Sequence, residues 1–198
     1  TVAGDQVTVA FNRTTGQLVS YRSASGQERL LAPVRPNFWR APTDNDRGNK
    51  MPVRCAAWKE ASTSQQLVDF AWRMDGSHCI VTVVLAAATV PASTVTLQYD
   101  IRPDGAVVVQ QDLLPGSDKL PDLPEFGMLF VLDGSLDSIE WYGRGPHENH
   151  WDRKTSARLG RFAGTVGSQY VPYLKPQECG NKTDVRFASV TTSANGDG

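Results

Sequence analysis

Short runs of alternating hydrophobic and polar residues follow one another along the chain, and turn dipeptides separate them. Alternation of this kind directs one face of a strand towards a core and the other towards water. The runs are rich in Thr, Val, Tyr and Trp, which favour the half-buried surface of a sheet. Strands are predicted at residues 7–11, 18–21, 68–74, 79–85, 95–101, 106–111, 128–132 and 139–142.

Glycine follows a polar residue between several of these runs, at Thr15-Gly16, Ser25-Gly26, Asp75-Gly76 and Asp133-Gly134. Residues 102–105, Arg-Pro-Asp-Gly, lie between two runs and form a strong hairpin signal. The one stretch that could form a helix is the short segment 53–62. The predicted fold class is therefore all-β, a large sandwich of sheets.

Two regions depart from this rhythm, residues 36–52 and 141–183, which predict long irregular loops rich in Gly, aromatic and charged residues. Loops on a β scaffold commonly carry binding and catalytic residues. No low-complexity linker or fixed-period repeat divides the sequence, so residues 1–198 are predicted to form one domain without an internal boundary. The turn-rich residues 191–198 predict a further strand, and we expect a domain truncated at its C-terminus.

Composition excludes several classes of partner. The chain carries 20 Lys and Arg against 21 Asp and Glu, a net charge of −1. This balance gives no electrostatic footprint for nucleic acid or an anionic membrane surface. No apolar run reaches the roughly 18–20 residues of a membrane helix. The 3 cysteines lack zinc-ligand spacing, and the compartment stays open between cytoplasm and periplasm.

Three apparent ligand motifs fail on their spacing. His147 and His150 are three residues apart, not four as in a zinc-binding helix, and Pro146 with two nearby glycines indicates a loop. Gly143-Arg144-Gly145 has Glu148 where a dinucleotide fingerprint needs its third glycine. The loop beginning at Asp44 lacks the glycine and glutamate of a calcium loop. We therefore predict no metal or cofactor site in this chain.

Polar and charged residues concentrate beside aromatic residues in three clusters. Aromatic faces with bidentate polar groups suit sugar rings, which present apolar patches surrounded by hydroxyls. Arginine–carboxylate pairs can equally pin long loops to one another, and composition alone favours that second interpretation. The candidate residues for sugar binding or for such a loop network are Trp39, Arg40, Asp44, Asn45, Asp46, Trp141, Arg144, Glu148, Asn149, Glu178, Asp184 and Arg186.

In these clusters the sequence resembles a known family. The motifs are residues 38–48 (Phe-Trp-Arg-Ala-Pro-Thr-Asp-Asn-Asp-Arg-Gly), residues 141–149 continuing through Asp152-Arg153-Lys154, and residues 176–178 with 180–186. Together they resemble the C-terminal small-chain domain of the large bacterial β-galactosidases of glycoside hydrolase family 2. The likeness extends over residues 7–189, and three long motifs in the same order make it specific.

The resemblance implies a β-supersandwich related to galactose mutarotase. It also implies a parent enzyme that hydrolyses terminal β-D-galactosides with retention, using two glutamates in a (β/α)₈ barrel upstream in the same chain. None of the 6 glutamates here then inherits a catalytic role: Glu28, Glu60, Glu125, Glu140, Glu148 and Glu178. The parent's magnesium and sodium ligands belong mainly to other domains, and the parent is expected to be a homo-oligomer.

On this resemblance, the chain completes the sugar pocket and the scaffold of a β-galactosidase and is inactive by itself. Charged loop residues, among them Arg144 and Glu148, are expected to form a network, with loss of either residue costing stability if the two form a buried pair. His150-Trp151, Cys179 and Phe187 depart from the family's usual residues, which leaves substrate preference open.

Two alternatives from other functional classes remain open. One is an independent aldose 1-epimerase-like enzyme on the same sandwich, which would use a histidine and a glutamate as acid and base. The other is a non-catalytic carbohydrate-binding module with Trp39, Trp141 or Trp151 as platforms.

Overall fold

The structure, a computed structural model, describes residues 1–193. Strands dominate it, which confirms the all-β fold class. The chain divides into two compact units. The first comprises Thr1–Arg40 and Asn49–Leu132, and the second comprises Ala41–Gly48 and the residues from Asp133 onwards. The expected single domain without an internal boundary and the mutarotase-like supersandwich stay predictions.

The strands in chain order are β1 (Val2–Ala3), β2 (Val7–Phe11), β3 (Leu18–Ser23), β4 (Leu30–Asn37), β5 (Gln65–Asp75), β6 (His78–Ala87), β7 (Ser93–Ile101), β8 (Val107–Leu114), β9 (Gly127–Leu132), β10 (Ser138–Gly145), β11 (Arg158–Thr165) and β12 (Phe187–Thr191). The helices are α1 (Asp44–Gly48), α2 (Met51–Arg54), α3 (Ala56–Thr63) and a 3₁₀ turn at Gly167–Gln169.

The first unit contains two antiparallel sheets, ordered β1-β2-β3-β4-β9 and β5-β6-β7-β8. The predicted turns join paired strands here: β5 and β6 pair around Asp75-Gly76, and β7 and β8 pair around residues 102–105. Alternate residues of both sheets meet in one hydrophobic core, including Val9 from β2, Val83 from β6 and Tyr99 from β7. This alternation is the sequence pattern that predicts the strands.

The helical segment predicted at residues 53–62 is confirmed by α2 and α3. Trp58 of α3 is buried against Phe38, with ring centroids 5.9 Å apart, and its indole N–H donates to the Pro121 carbonyl over 2.8 Å. A buried tryptophan with a satisfied N–H fixes the helix to the core. Helix α1, in contrast, lies in the region 36–52 that the sequence predicts to be irregular.

The second unit contains a three-stranded antiparallel sheet ordered β11-β10-β12. Trp141 of β10 lies opposite Phe162 of β11 and Ala188 of β12, and it is buried. Its ring lies 5.5 Å from that of Phe162. This sheet therefore holds the start of the second motif (141–149) beside the strand that follows the third.

The strands predicted on either side of Asp133-Gly134 are present, and they do not pair with each other: β9 pairs with β4, and β10 pairs with β11 and β12. The prediction of loops throughout residues 141–183 is wrong in part. Strand β11 lies in the region 141–183 predicted as loops, because its glycines and arginines hide the alternation of a strand. The predicted turn at 191–198 lies, from residue 194, outside the described residues. Within residues 1–193, no helix has the length and apolarity needed to cross a membrane.

Candidate functional site

The second unit brings the second and third sequence motifs together beyond the end of β10. Antiparallel pairing of β10 with β12 continues outwards, since the Arg186 N–H donates to the Tyr142 carbonyl over 2.8 Å and the Arg144 N–H to the Thr183 carbonyl over 3.0 Å. Residues 183–186 therefore run beside residues 142–144. Motifs about 40 positions apart in the chain become neighbours through this backbone ladder.

Asn149 lies at the centre of these loops and is fully buried, with 0% of its surface exposed. Its side-chain oxygen accepts hydrogen bonds from the Thr183 N–H over 2.9 Å and the Thr183 hydroxyl over 2.5 Å. Its amide nitrogen donates to the carbonyls of His147 and Arg144, over 3.0 and 3.3 Å. The Asn181 side chain donates to the Asn149 carbonyl over 2.8 Å. One buried amide thus joins the second and third motifs.

Arg144 and Asp184 form the ion pair beside it, with Nε and Oδ2 2.5 Å apart. The Arg144 guanidinium also donates to the Ala157 carbonyl over 2.7 Å, and the Lys154 ammonium lies 3.7 Å from Asp184. The hydrogen bond from Arg144 and the nearby positive charges hold the pKa of Asp184 below its ordinary value, although burial opposes this. Asp184 adopts a left-handed backbone conformation, φ 54°.

Glu148 is buried, and donors surround its carboxylate. Oε2 accepts the Gly180 N–H over 2.6 Å, while Oε1 accepts the Tyr173 hydroxyl and the Arg153 guanidinium and lies 3.2 Å from His150 Nε2. Burial raises the pKa of Glu148, but these hydrogen bonds outweigh it and the pKa is lowered overall. Arg144 and Glu148 therefore each pair with a partner from elsewhere rather than with one another.

The first motif contributes helix α1 to the same unit. Thr43 and Asp46 form a reciprocal capping box: the Thr43 N–H donates to the Asp46 carboxylate over 2.9 Å and the Asp46 N–H to the Thr43 hydroxyl over 3.2 Å. The Asp44 N–H donates to the Gln177 side-chain oxygen over 3.2 Å, and Arg47 donates to the Pro176 carbonyl. Helix α1 therefore contacts the start of the third motif.

The other predicted site residues lie as follows. Trp39 and Arg40 belong to the first unit, where Trp39 packs against the core and Arg40 donates to the Pro124 carbonyl over 3.1 Å. Asn45 is exposed on α1, and Glu178 is half-buried in the third motif. Arg186 is exposed, and its guanidinium donates to the Asp184 carbonyl over 3.3 Å.

Comparison with known proteins decides the family. The family model described as "Beta galactosidase small chain" matches residues 3–196. The chain belongs to this family. It is 46% identical to a β-galactosidase from Priestia megaterium over 96% of its length, and 35% identical to one from Halalkalibacterium halodurans over 100%. The "Beta-galactosidase BgaC" of Bifidobacterium adolescentis is 35% identical over 96% of the chain. The chain spans 18–19% of the length of these relatives.

Sequence reasoning missed several residues that hold this small-chain domain's loops together. They are Arg153 and Tyr173 at Glu148, Lys154 at Asp184, and Asn181 and Thr183 at Asn149. Most lie inside the three motifs, so their location was indicated. The motifs could not indicate which side chains meet, because all of these contacts except that of Arg153 with Glu148 join segments separated by 25 or more positions in the sequence.

The geometry of these loops supports a positioning role rather than acid–base chemistry. His150 and Glu148 are the kind of pair an epimerase would need, but the Glu148 oxygens are occupied by four donors and its lowered pKa makes it a poor base. Among residues 1–193 no three His, Cys, Asp or Glu side chains are grouped to hold a metal ion.

The candidate sugar platforms are also mostly covered. Trp141 is buried and donates its indole N–H to the Arg144 carbonyl over 3.1 Å. Trp39 packs against the core of the first unit. Trp151 is largely exposed, but the Lys154 ammonium lies 3.9 Å above its ring. A binding module with open aromatic faces is therefore not favoured by these three side chains.

Proposed function

We propose that this chain is a structural domain of a β-galactosidase, an enzyme that hydrolyses terminal β-D-galactosides, and that it contributes scaffold and pocket residues without catalytic glutamates. The observation that carries this proposal is the meeting of the second and third motifs at buried Asn149 and Glu148, with helix α1 of the first motif held against the start of the third, in a member of the small-chain family. Relatives named β-galactosidase, of which the chain matches 18–19%, support it.

The chemistry assigned to the domain follows from how its polar groups are used. Buried polar groups that already have partners hold loops in one conformation and offer little to a substrate. Glu148 and Asn149 are of this kind, and half-buried Asp184 is likewise engaged by Arg144. Their proposed contribution is to fix the loops on which pocket-forming residues of the larger enzyme depend, and catalysis would require preorganised loops of this sort.

The substrate, metal and assembly state are part of the same proposal. Magnesium and sodium would be bound mainly by other domains, and the catalytic pair of carboxylates would come from a barrel domain of the same polypeptide. The complete enzyme is proposed to be a homo-oligomer. Each statement rests on family membership, and each can be tested on the longer natural polypeptide.

The test compares that longer polypeptide with the segment of residues 1–198. The longer protein should release nitrophenol from nitrophenyl β-D-galactoside and yield β-galactose first by NMR, because retention requires a covalent intermediate. The segment alone should release none above background. A longer polypeptide without hydrolase activity on β-galactosides would contradict the proposal.

The role of the loop network is tested with Asp184→Asn in the longer protein. This variant removes the carboxylate partner of Arg144, whereas Asp44→Asn removes an exposed partner of Arg47 as a matched control. We expect Asp184→Asn to lower the melting temperature and the temperature at which activity is lost by a similar amount. Asp44→Asn should change neither, and equal effects of the two variants would contradict the assigned role.

A further inference from the structure

An open, largely apolar cavity of about 310 Å³ lies in the first unit. Its lining comes from the chain's N-terminus, from β2 and the turn after it, and from β5 and β6, and includes Thr1, Phe11, Arg13, Phe70, Trp72 and Met74. Phe11 and Phe70 also pack against the hydrophobic core. The cavity is therefore a gap in the side of the core of this unit.

Two large apolar side chains stand exposed in this gap. Trp72 is 63% exposed and Met74 57% exposed, and both lie on β5, an edge strand of its sheet. Burying one such side chain yields about 1.5–3 kcal/mol. Adjacent exposed apolar residues on an edge strand mark a surface that another segment covers.

The register of β1 shows what can reach this surface. Val2 pairs with Val9 and Ala3 with Thr8, and β1 is the edge strand of its own sheet. Continuing the same antiparallel register backwards places Thr1 beside Ala10 and the residue before Thr1 beside Phe11. Because side chains alternate along a strand, that preceding residue would point to the same face as Val2, into the cavity.

We infer that the polypeptide immediately preceding Thr1 in the larger protein extends β1 and fills this cavity with an apolar side chain, covering Trp72 and Met74. The inference rests on the part of the proposed function that places this segment in a longer chain. The β-galactosidase from Priestia megaterium supports that placement, since the segment spans only 18% of its length. Phe11 and Thr1, both in the lining, mark the path of the added strand.

The lining favours a polypeptide over a sugar. A sugar ring needs several hydrogen-bonding groups beside an aromatic face. Here the nitrogen- and oxygen-bearing side chains are Thr1, Arg13 and Trp72, and the indole of Trp72 offers a single N–H. The Arg13 guanidinium lies 6.0 Å over the Phe70 ring. Phenyl, thioether, thiol and aliphatic surfaces make up the rest, as expected of a core that lacks one strand's side chain.

Methionine oxidation tests the covering directly in the longer natural protein. Met74 is exposed here while Met51 is buried, and peroxide oxidises methionines according to their exposure. We expect mass spectrometry to find Met74 oxidised within about threefold of the rate of Met51. Replacing the two residues before Thr1 with aspartate should restore fast oxidation of Met74. Fast oxidation in the unaltered protein would overturn the inference.

A matched pair of substitutions gives an independent readout. Trp72 and Val68 lie on the same strand and are 63% and 64% exposed, but Val68 does not line the cavity. Trp72→Lys should lower the melting temperature of the longer protein by about 4 °C or more, since a covered site would bury an unpaired ammonium. Val68→Lys should leave it unchanged, and equal shifts would count against the inference.

The outcomes separate this inference from the proposed function. Galactoside hydrolysis with fast Met74 oxidation refutes the docked strand and leaves the function standing. Slow Met74 oxidation without galactoside hydrolysis supports the docked strand and refutes the proposed function. Protection of Met74 that disappears on dilution identifies a second copy as the occupant, and protection that appears only with added galactose identifies a sugar; either result overturns the inference.

Discussion

Single buried polar residues carry much of the order in the loops of the second unit. Asn149 makes four side-chain hydrogen bonds and has no exposed surface. Water therefore cannot replace a hydrogen-bond partner that is lost. A buried group that loses its partner costs the full desolvation penalty, which exceeds the net gain of the bond itself. Residues of this kind determine whether the loops have one conformation.

The first prediction concerns Asn149→Ala. This substitution leaves the Thr183 hydroxyl, the Thr183 N–H and two backbone carbonyls without their hydrogen-bond partner. The free energy of unfolding should therefore fall by about 3 kcal/mol. Urea unfolding measures the change. Asn45→Ala, on the exposed face of α1, is the control and should stay within about 0.5 kcal/mol of the parent. Equal stability of the two variants would refute the assigned importance of Asn149.

Glu28 gives a pH-dependent prediction in the first unit. Burial raises its pKa, but hydrogen bonds from the Ser20 hydroxyl and from backbone N–H groups, with Arg22 nearby, lower the pKa of Glu28 from 4.5 to about 2. A carboxyl with a depressed folded pKa stabilises the protein above its unfolded pKa. That stability is lost as pH falls from about 4.5 towards 2.

Glu28→Gln should therefore lower stability at pH 7 by about 1–2 kcal/mol, less than the full linkage value because the side chain is partly exposed. The difference between parent and variant should shrink as pH falls below about 4.5. Thermal melts of parent and variant between pH 7 and pH 3 measure this difference. Glu60→Gln, at an exposed position, should keep the parent's acid dependence. A pH-independent gap for Glu28→Gln would contradict the linkage.

At the scale of elements, tight turns determine which strands pair. In one of these turns the glycine packs directly against side chains of the core. Gly16, between β2 and β3, has φ +74°, and a Cβ there would lie 2.5 Å from a Val83 methyl and 2.8 Å from a Leu67 methyl. Gly26 has φ +80° but nothing within 4 Å of its Cβ position. The two glycines share a backbone conformation and differ in the space around them.

Gly16→Ala should destabilise the protein by about 2–5 kcal/mol, the sum of left-handed strain and overpacking. Gly26→Ala should cost only the strain, about 1–2 kcal/mol. Denaturant unfolding of both variants separates steric from conformational cost. A Gly26→Ala variant as unstable as Gly16→Ala would show that packing against Val83 and Leu67 does not matter.

Element prediction succeeded where neighbours in the sequence are neighbours in space. The hairpins β5–β6 and β7–β8 follow from alternation and a turn signal between the strands. The pairing of β9 with β4, which lie about ninety residues apart, depends on contacts that no local pattern contains. Strand β11 was missed because pairing with β10 overrides its weak local propensity.

At the scale of the whole molecule, the glutamates provide the decisive test of a non-catalytic role. Within the longer polypeptide, replacement of a catalytic carboxylate should lower kcat by a factor of 10³ or more, on the order expected for an acid, base or nucleophile. We expect Gln variants of Glu28, Glu60, Glu125, Glu140, Glu148 and Glu178 to retain kcat within about threefold per folded molecule.

Nitrophenyl galactoside hydrolysis, corrected for the folded fraction by circular dichroism, is the measurement. Glu148→Gln is the variant most affected by that correction, since Glu148 is buried and fixed by three loops. A folded variant that has lost activity a thousandfold would identify a catalytic glutamate in this chain and contradict the proposed division of labour.

The sequence by itself determined the all-β class, the hairpin turns and the three motifs that place this chain in the β-galactosidase small-chain family. Local physics suffices for these, because alternation, turn residues and motifs are written in consecutive positions. Tertiary structure alone decided that Arg144 pairs with Asp184, that Glu148 meets Tyr173 and Gly180, and that Trp72 stays exposed beside Thr1. These neighbours are far apart in the chain, and only the packing of strands and loops in three dimensions brings them together.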